Sequence, residues 1–128
     1  MHPKMSRFGD AKAEIKKASS LPGTEFLEKA YSILYSRCKY TGFGLFGENN
    51  QKIAFGNIGT DSEKAIEKAK ASGKISTSGK AISSSIGNNG NVTAYLAIES
   101  FLPFFDDLDR NMAEFLAKIL EEKAGELL

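Results

Sequence analysis

The sequence predicts an α+β fold: a central antiparallel sheet of five strands, with the long N- and C-terminal helices packed on one face. Three observations carry this expectation. The apolar periodicity orders the chain as helix, strand, strand, helix, short strand, strand, strand, helix, and two hairpins joined by a helical connection favour antiparallel pairing. Two of the strands are apolar on both faces, around Phe43, Leu45 and Phe46 and along Tyr95-Leu96-Ala97-Ile98. Such strands belong side by side in the middle of a sheet covered on both sides. The long helical segments, Thr24 to Cys38 and Leu108 to Leu120, each present a broad apolar stripe.

The elements follow in chain order. Met1 to Gly9 reads as a loose tail, and Asp10 is placed to cap a short, mostly polar helix carrying Ala11, Ile15 and Ala18. Residues 1–20 are therefore assigned to a tail and short helix, and 21–128 to a single domain. After the Leu21-Pro22-Gly23 break, Thr24 is the expected N-cap of a helix with Leu27, Tyr31, Leu34 and Cys38 at i, i+4, i+7 and i+11. Strands are expected over Tyr40–Gly47 and Lys52–Ile58, joined through Asn49-Asn50. Thr60-Asp61-Ser62-Glu63 has the form of a capping box opening a helix that ends at Gly73. Lys74 to Lys80 is mostly polar and reads as a loop or a short strand around Ile75. Ala81 to Ile86 alternates apolar residues with serine in the manner of an edge strand, and Asn89-Gly90 marks the next turn. The core strand runs from Val92 to Glu99. Pro103 ends it, and Asp106 or Asp107 caps the last helix.

Composition narrows the function classes. The 128 residues fit one domain, and 41% hydrophobic with 26% charged residues is ordinary for a globular chain. Seventeen basic against sixteen acidic side chains give +1, which supplies no field for nucleic-acid binding, and no nucleic-acid motif appears. No apolar run reaches the roughly 20 residues that span a bilayer. The N-terminus lacks the apolar core of a secretory signal. A single cysteine cannot form an internal disulfide, so a cytoplasmic location is expected. The only histidine is His2, which leaves the body of the chain without imidazole chemistry.

The run SSIGNNGNVTAYLAIES followed by FLPFFDDLDRNMAEFLAKILEEK resembles the C-terminal half of a GAF domain. Thr24 to Gly59 is similar to that family's opening helix and hairpin, and AIEKAKASGK to its next helix and turn. The resemblance covers about 105 residues and is one of hydrophobicity and element lengths. It implies a GAF-like (PAS/profilin-like) sheet, a sensory or regulatory role, a small-molecule effector or protein partner, and homodimerisation through the terminal helices. It implies no particular cofactor. The Asn-Lys-Phe-Asp-Glu pattern of cyclic-nucleotide-binding members is absent, since Phe101 and Asp106 are wrongly spaced, and only Lys74 to Lys80 is left to wall a pocket.

Weighed singly, few residues point to chemistry. Gly73 to Lys80 departs from a phosphate loop in its glycine spacing, in Ala81 after the lysine and in its flanking elements. Cys38 invites comparison with GAF-like methionine sulfoxide reductases, but it stands alone on an apolar stripe and reads as a buried hydrophobe. Asp106, Asp107 and Asp109 read as helix-capping groups rather than a metal or acid–base cluster. No catalytic or metal-binding residue is assigned, and the chain is expected to be non-enzymatic. Ser76, Ser78, Ser83 and Ser85 offer hydroxyls where an effector would sit, with Phe43, Phe55 and Tyr95 as apolar walls; the alternative is a solvated loop and ordinary core aromatics. Ile33, Tyr35 and Leu127 are the candidate dimer contacts. A ligand-free interaction scaffold, similar to roadblock or longin-like dimers, is the competing reading.

Overall fold

The computed structural model describes residues 3–48, 51–88 and 90–128. Four helices and five strands alternate as α1 (Pro3–Ala18), α2 (Gly23–Cys38), β1 (Tyr40–Phe46), β2 (Lys52–Gly56), α3 (Thr60–Ser72), β3 (Ser76–Ser78), β4 (Ala81–Asn88), β5 (Asn91–Ser100) and α4 (Asp107–Leu127). The strands form one sheet in the order β2-β1-β5-β4-β3, antiparallel at every pairing. The two strands that are apolar on both faces are neighbours at its centre, Leu45 opposite Leu96 and Phe43 opposite Ile98.

One face of the sheet carries α1, α2 and α4. Phe43 and Leu45 of β1, Ile82 and Ile86 of β4, and Leu96 and Ile98 of β5 meet Phe26, Leu27 and Leu34 of α2 and Met112, Leu116 and Leu120 of α4. All are buried. Burying each such side chain contributes about 1.5–3 kcal/mol before chain entropy is set against it, so this layer holds the fold together.

The other face is built from small residues and carries α3 alone. Strand alternation puts Gly44, Ala97 and Ser83 side by side across β1, β5 and β4. Ala65, Ile66 and Ala69 are buried on α3, which packs against β3, β4 and β5. Small groups on both surfaces let the helix approach closely. The connection from β2 crosses above β1 here: a Cβ on Gly42 would sit 1.8 Å from the carbonyl oxygen of Asn57. Only glycine leaves room for that crossing.

Several local expectations are corrected. The tail is helical from Pro3, and Phe8 packs edge-on against Tyr40 in the core, so α1 is a third helix of the main layer. Met1 and His2 lie outside the described residues, as do Asn49, Asn50 and Asn89 of the two expected turns. Strand β4 is not an edge: β3, three residues long, covers its outer side. Thr24 does not cap α2, which starts at Gly23 behind Pro22 with no side-chain cap. The Thr60-to-Glu63 box does not form either. Glu99, from β5, accepts hydrogen bonds from the Gly59 N–H (2.7 Å) and the Ser62 hydroxyl (2.5 Å), while Asp61 accepts from the Lys80 N–H (3.0 Å). Tertiary carboxylates replaced the local ones.

At α4 the capping box does form. Asp106 Oδ1 accepts from the N–H groups of Leu108 (3.0 Å) and Asp109 (3.2 Å), and Asp109 Oδ2 accepts from the Asp106 N–H (2.8 Å). Asp109 is also buried, and it receives the Tyr40 hydroxyl (2.5 Å) and the Lys4 ammonium (3.0 Å). One carboxylate thus joins α1, β1 and α4.

Candidate functional site

Where α3 stops covering the small-residue face, a trough opens along β1, β2 and β5. The pairing register places Lys52, Phe46, Tyr95 and Ser85 in one row across β2, β1, β5 and β4. Phe46, Tyr95 and Ser85 are half-buried, in contrast to the buried row of Gly44, Ala97 and Ser83, in which α3 lies over β4 and β5 while the Phe46 ring and Ile58 cover Gly44. Two hollows share Phe46, Gly47, Ile66 and Lys70. The larger, about 920 Å³ and open to solvent, extends over Gln51, Lys52 and the flank of α3. The smaller, about 310 Å³, extends over Val92 to Tyr95.

The trough has an apolar floor and a basic rim. Lys52, Lys64, Lys68 and Lys70 line the larger hollow against Glu63 and Glu67. Lys70 Nζ lies 5.5 Å from the Tyr95 ring centroid, a cation–π contact, and 4.0 Å from Glu67. Lys68 donates to the Thr77 carbonyl at 3.2 Å. The Lys52 and Lys64 ammonium groups make no hydrogen bond or ion pair among the described residues.

The structure divides the predicted site residues. Ser76, Ser78, Ser83, Ser85 and Tyr95 share the α3 face, and Tyr95 and Ser78 line the hollows. Ser83 is buried, with its hydroxyl donated to the Leu96 carbonyl at 2.8 Å, and Ser76 donates to the Lys74 carbonyl at 3.0 Å. The Ser85 hydroxyl has no partner among the described residues. Phe43 and Phe55 are corrected: both point to the opposite face. Phe43 is buried in the core, and Phe55 stacks on Tyr31 of α2 at 5.9 Å between centroids. Strand parity is the reason, because Phe43 stands one residue from Gly44 and three from Phe46. The trough residues missed in the sequence are Phe46, Lys52, Ile66 and Lys70. The signal available was that Phe46 shares its parity with Gly42 and Gly44, the sparse side of β1.

Of the expected dimer contacts, Ile33 is buried in its own core, Leu127 is half-buried against Gly23 at the start of α2, and Tyr35 is exposed. Cys38 lies in the helix-covered layer, away from the trough, and burial pushes its thiol up to about 12. Burial also raises the Tyr40 phenol, and the Asp109 carboxylate adds to the effect. Among the described residues there is no group of three or more His, Cys, Asp and Glu side chains placed to hold a metal ion. No described helix is long and apolar enough to cross a membrane.

No protein-family model matches the chain. No curated protein matches it either. Solved structures do. The nlh2 GAF domain of A. aeolicus in an inactive state aligns over 96% of this chain and 98% of its own, at 16% identity and a TM-score of 0.60. The GAF domain of the Acinetobacter phosphoenolpyruvate-protein phosphotransferase aligns over 98% and 95%, at 12% identity and a TM-score of 0.62. The free methionine-R-sulfoxide reductase of Neisseria meningitidis, solved with its substrate, aligns over 91% and 87%, at 15% identity and a TM-score of 0.64. The chain therefore has a GAF-like fold, as its sequence pattern implied. The expectation of a non-enzymatic chain is corrected by the same comparison. Reductases from N. meningitidis and Staphylococcus aureus share this architecture, so the fold is one that enzymes also use.

Proposed function

We propose that the chain is a GAF-like sensory or regulatory module that binds a small-molecule effector in the trough between α3 and the β2-β1-β5 surface. One observation carries the reading: Phe46 and Tyr95 stand side by side on the sheet, half-buried, beneath a hollow that α3 leaves uncovered. Water in contact with two aromatic side chains is displaced favourably by a ligand of matching shape, which is how concave, mostly apolar sites work. A thermal-shift screen of nucleotides, amino acids, aromatic acids and tetrapyrroles tests it. A binder at 100 times its dissociation constant raises stability by about 2.7 kcal/mol. Tyr95→Ala should abolish that gain. A flat response across the panel sinks the reading.

A second reading, a protein-interaction module, has its own observation. Phe101, Leu102 and Phe104 project from the β5–α4 connection, Phe104 at 77% exposure. Contiguous exposed apolar side chains of this kind mark contact surfaces. Homodimerisation through the helical layer would use Tyr35 rather than Ile33, and sedimentation of the unsubstituted chain and of the Tyr35→Glu variant by analytical ultracentrifugation tests it: a monomer before substitution refutes it. A cytoplasmic location is part of the proposal, supported by a lone buried thiol that requires no oxidised partner. The catalytic alternative opened by the reductase neighbours is read by a direct assay on free methionine-R-sulfoxide, with Cys38→Ser as the control.

A further inference from the structure

We infer that the outer edge of β2 is a self-association surface, on which β2 of a second copy of this chain pairs antiparallel about a two-fold axis at Ala54 and joins the two sheets into one. The ladder shows which groups face outward. Gly47 donates to the Gln51 carbonyl at 2.9 Å and Asn57 to the Thr41 carbonyl at 2.8 Å, and the register between these two bonds runs without a shift. Bonded positions alternate in an antiparallel ladder, so Ile53 and Phe55 also bond to β1, while Lys52, Ala54 and Gly56 turn their N–H and C=O groups away from it. None of these outward groups has a partner among the described residues. The opposite edge of the sheet is closed: β3 is three residues long, and its outward Thr77 carbonyl takes the Lys68 ammonium at 3.2 Å. Strand β2 lacks such protection. It has no proline and no bulge, and its one charge is Lys52 at its first residue.

The edge specifies its occupant. A row of unpaired main-chain donors and acceptors fits an extended strand, and a strand already held extended in a folded copy is spared the ordering cost of a free peptide. The β2 sequence is complementary to itself in one register. With Ala54 opposite Ala54, each copy donates and accepts one bond there, and Lys52 stands opposite Gly56, which presents no side chain. On the helix-covered face Ile53 meets Phe55 of the second copy, an aromatic–β-branched pair that favours adjacent strands. Moving the axis to Ile53 would bring the two Lys52 side chains into diagonal contact, about 7–8 Å apart, where like charges oppose pairing. An aromatic shoulder extends the surface beside the edge. Phe55 stacks on Tyr31 at 5.9 Å between centroids, Tyr31 leans on Tyr35 at 6.2 Å, and Tyr35 is 60% exposed. The assignment rests on the homodimer reading above and gives it a different principal surface.

Sedimentation velocity of the full-length chain over a concentration series, with amide hydrogen exchange, tests the edge. The unsubstituted chain should dimerise, and its Ala54 amide should be protected at high concentration and exchange freely at low. Ala54→Pro deletes the outward N–H and no bond to β1, so the pair loses two reciprocal bonds and the dimer should weaken at least about tenfold. A charge pair leaves the backbone intact and gives a second readout. Ala54→Glu and Ala54→Lys should each be monomeric where the unsubstituted chain is a dimer, because each sets like charges opposite one another across the axis. An equimolar mixture of the two should dimerise again, a rescue that requires residue 54 to face its own counterpart. If each charged variant is monomeric and the mixture stays so, the axis does not lie at Ala54 and the inference is overturned. If the chain dimerises while the Ala54 amide exchanges equally at every concentration and both charged variants remain dimers, the edge is wrong and the helical-layer homodimer stands. If the unsubstituted chain is a monomer throughout, the edge and the homodimer reading fall together.

Discussion

The two faces of the sheet are made from the same strands and do opposite things. On one face the alternating positions are Phe43, Leu45, Ile82, Ile86, Leu96 and Ile98, and three helices seal them. On the other they are Ala81, Ser83 and Ala97 under α3, giving way to the half-buried Phe46 and Tyr95, the Phe46 ring lying over Gly44. Large side chains interdigitate and exclude solvent, so the first face supplies stability. Small ones let a helix lie close without filling the surface, so the second keeps a hollow at modest cost. Stability and binding are thereby separated by the thickness of one sheet.

The largest effect that would break this comparison is a matched pair of truncations. Phe43→Ala removes a buried ring from the helix-covered face and should cost about 3–5 kcal/mol. Tyr95→Ala, on the open face, should cost about 1 kcal/mol because its ring is already half-solvated. Urea denaturation of both variants measures the contrast. Equal costs would mean that the trough is part of the core.

Next in size is the carboxylate that ties α1 to the rest. Asp109→Ala should cost about 3 kcal/mol, since it strands the buried Tyr40 hydroxyl and removes one of the two carboxylates, Asp106 and Asp109, that hold Lys4. Tyr40→Phe, which removes only the donor, should cost about 1–2 kcal/mol. Hydrogen exchange should show the amides of α1 opening first in Asp109→Ala. If α1 stays protected, its apolar contacts through Phe8 and Ile15 suffice and the network is incidental.

These two cases also separate what was legible in the sequence from what was not. Strand β5 and helices α2 and α4 could be read directly, because runs such as Tyr95 to Ile98 and the stripe from Leu108 to Leu120 carry their own periodicity. Helix α1 was underestimated because its buried side is Phe8, Ala11, Ile15 and Ala18, a narrow stripe whose value depends on partners in α2 and α4. The cap of α3 was misassigned for a related reason: Glu99 sits far along the chain and outcompetes the local Thr60 and Glu63. The trough was only half visible. Tyr95 was on the sequence-derived site, but its companions Phe46 and Lys52 emerge only when three strands are set in register, and a one-residue error in parity sends Phe43 in Phe46's place.

A smaller effect sharpens the account of the small-residue face. Ala97→Leu places a branched side chain beneath α3, where Ala97 is fully buried. Overpacking of this kind costs about 1–3 kcal/mol. Because the strain falls on α3 rather than on the three-helix layer, exchange protection should drop in Thr60–Ser72 and hold in Gly23–Cys38. A uniform loss of protection would show that the two faces unfold as one unit.

The smallest effect concerns Cys38, and it reads the dryness of the helix-covered face. Burial raises its thiol from 9.0 to about 12, so the folded chain holds the proton more tightly than the unfolded one. A group shifted in that sense contributes stability that is fully present below pH 9 and drains away as the pH climbs toward 12. Tyr40 is shifted in the same direction from a starting value of 10.0, so the interval between pH 9 and 10 isolates the cysteine. The urea midpoint should be flat from pH 7 to 8.5 and then decline, and Cys38→Ala should decline less steeply between pH 9 and 10. In the native protein at pH 8 a thiol reagent should react far more slowly than in urea, because the thiolate is the reactive species and the folded layer suppresses it. Identical slopes in the two proteins, together with rapid native-state labelling, would show that water reaches Cys38 and that this face is less sealed than its packing implies.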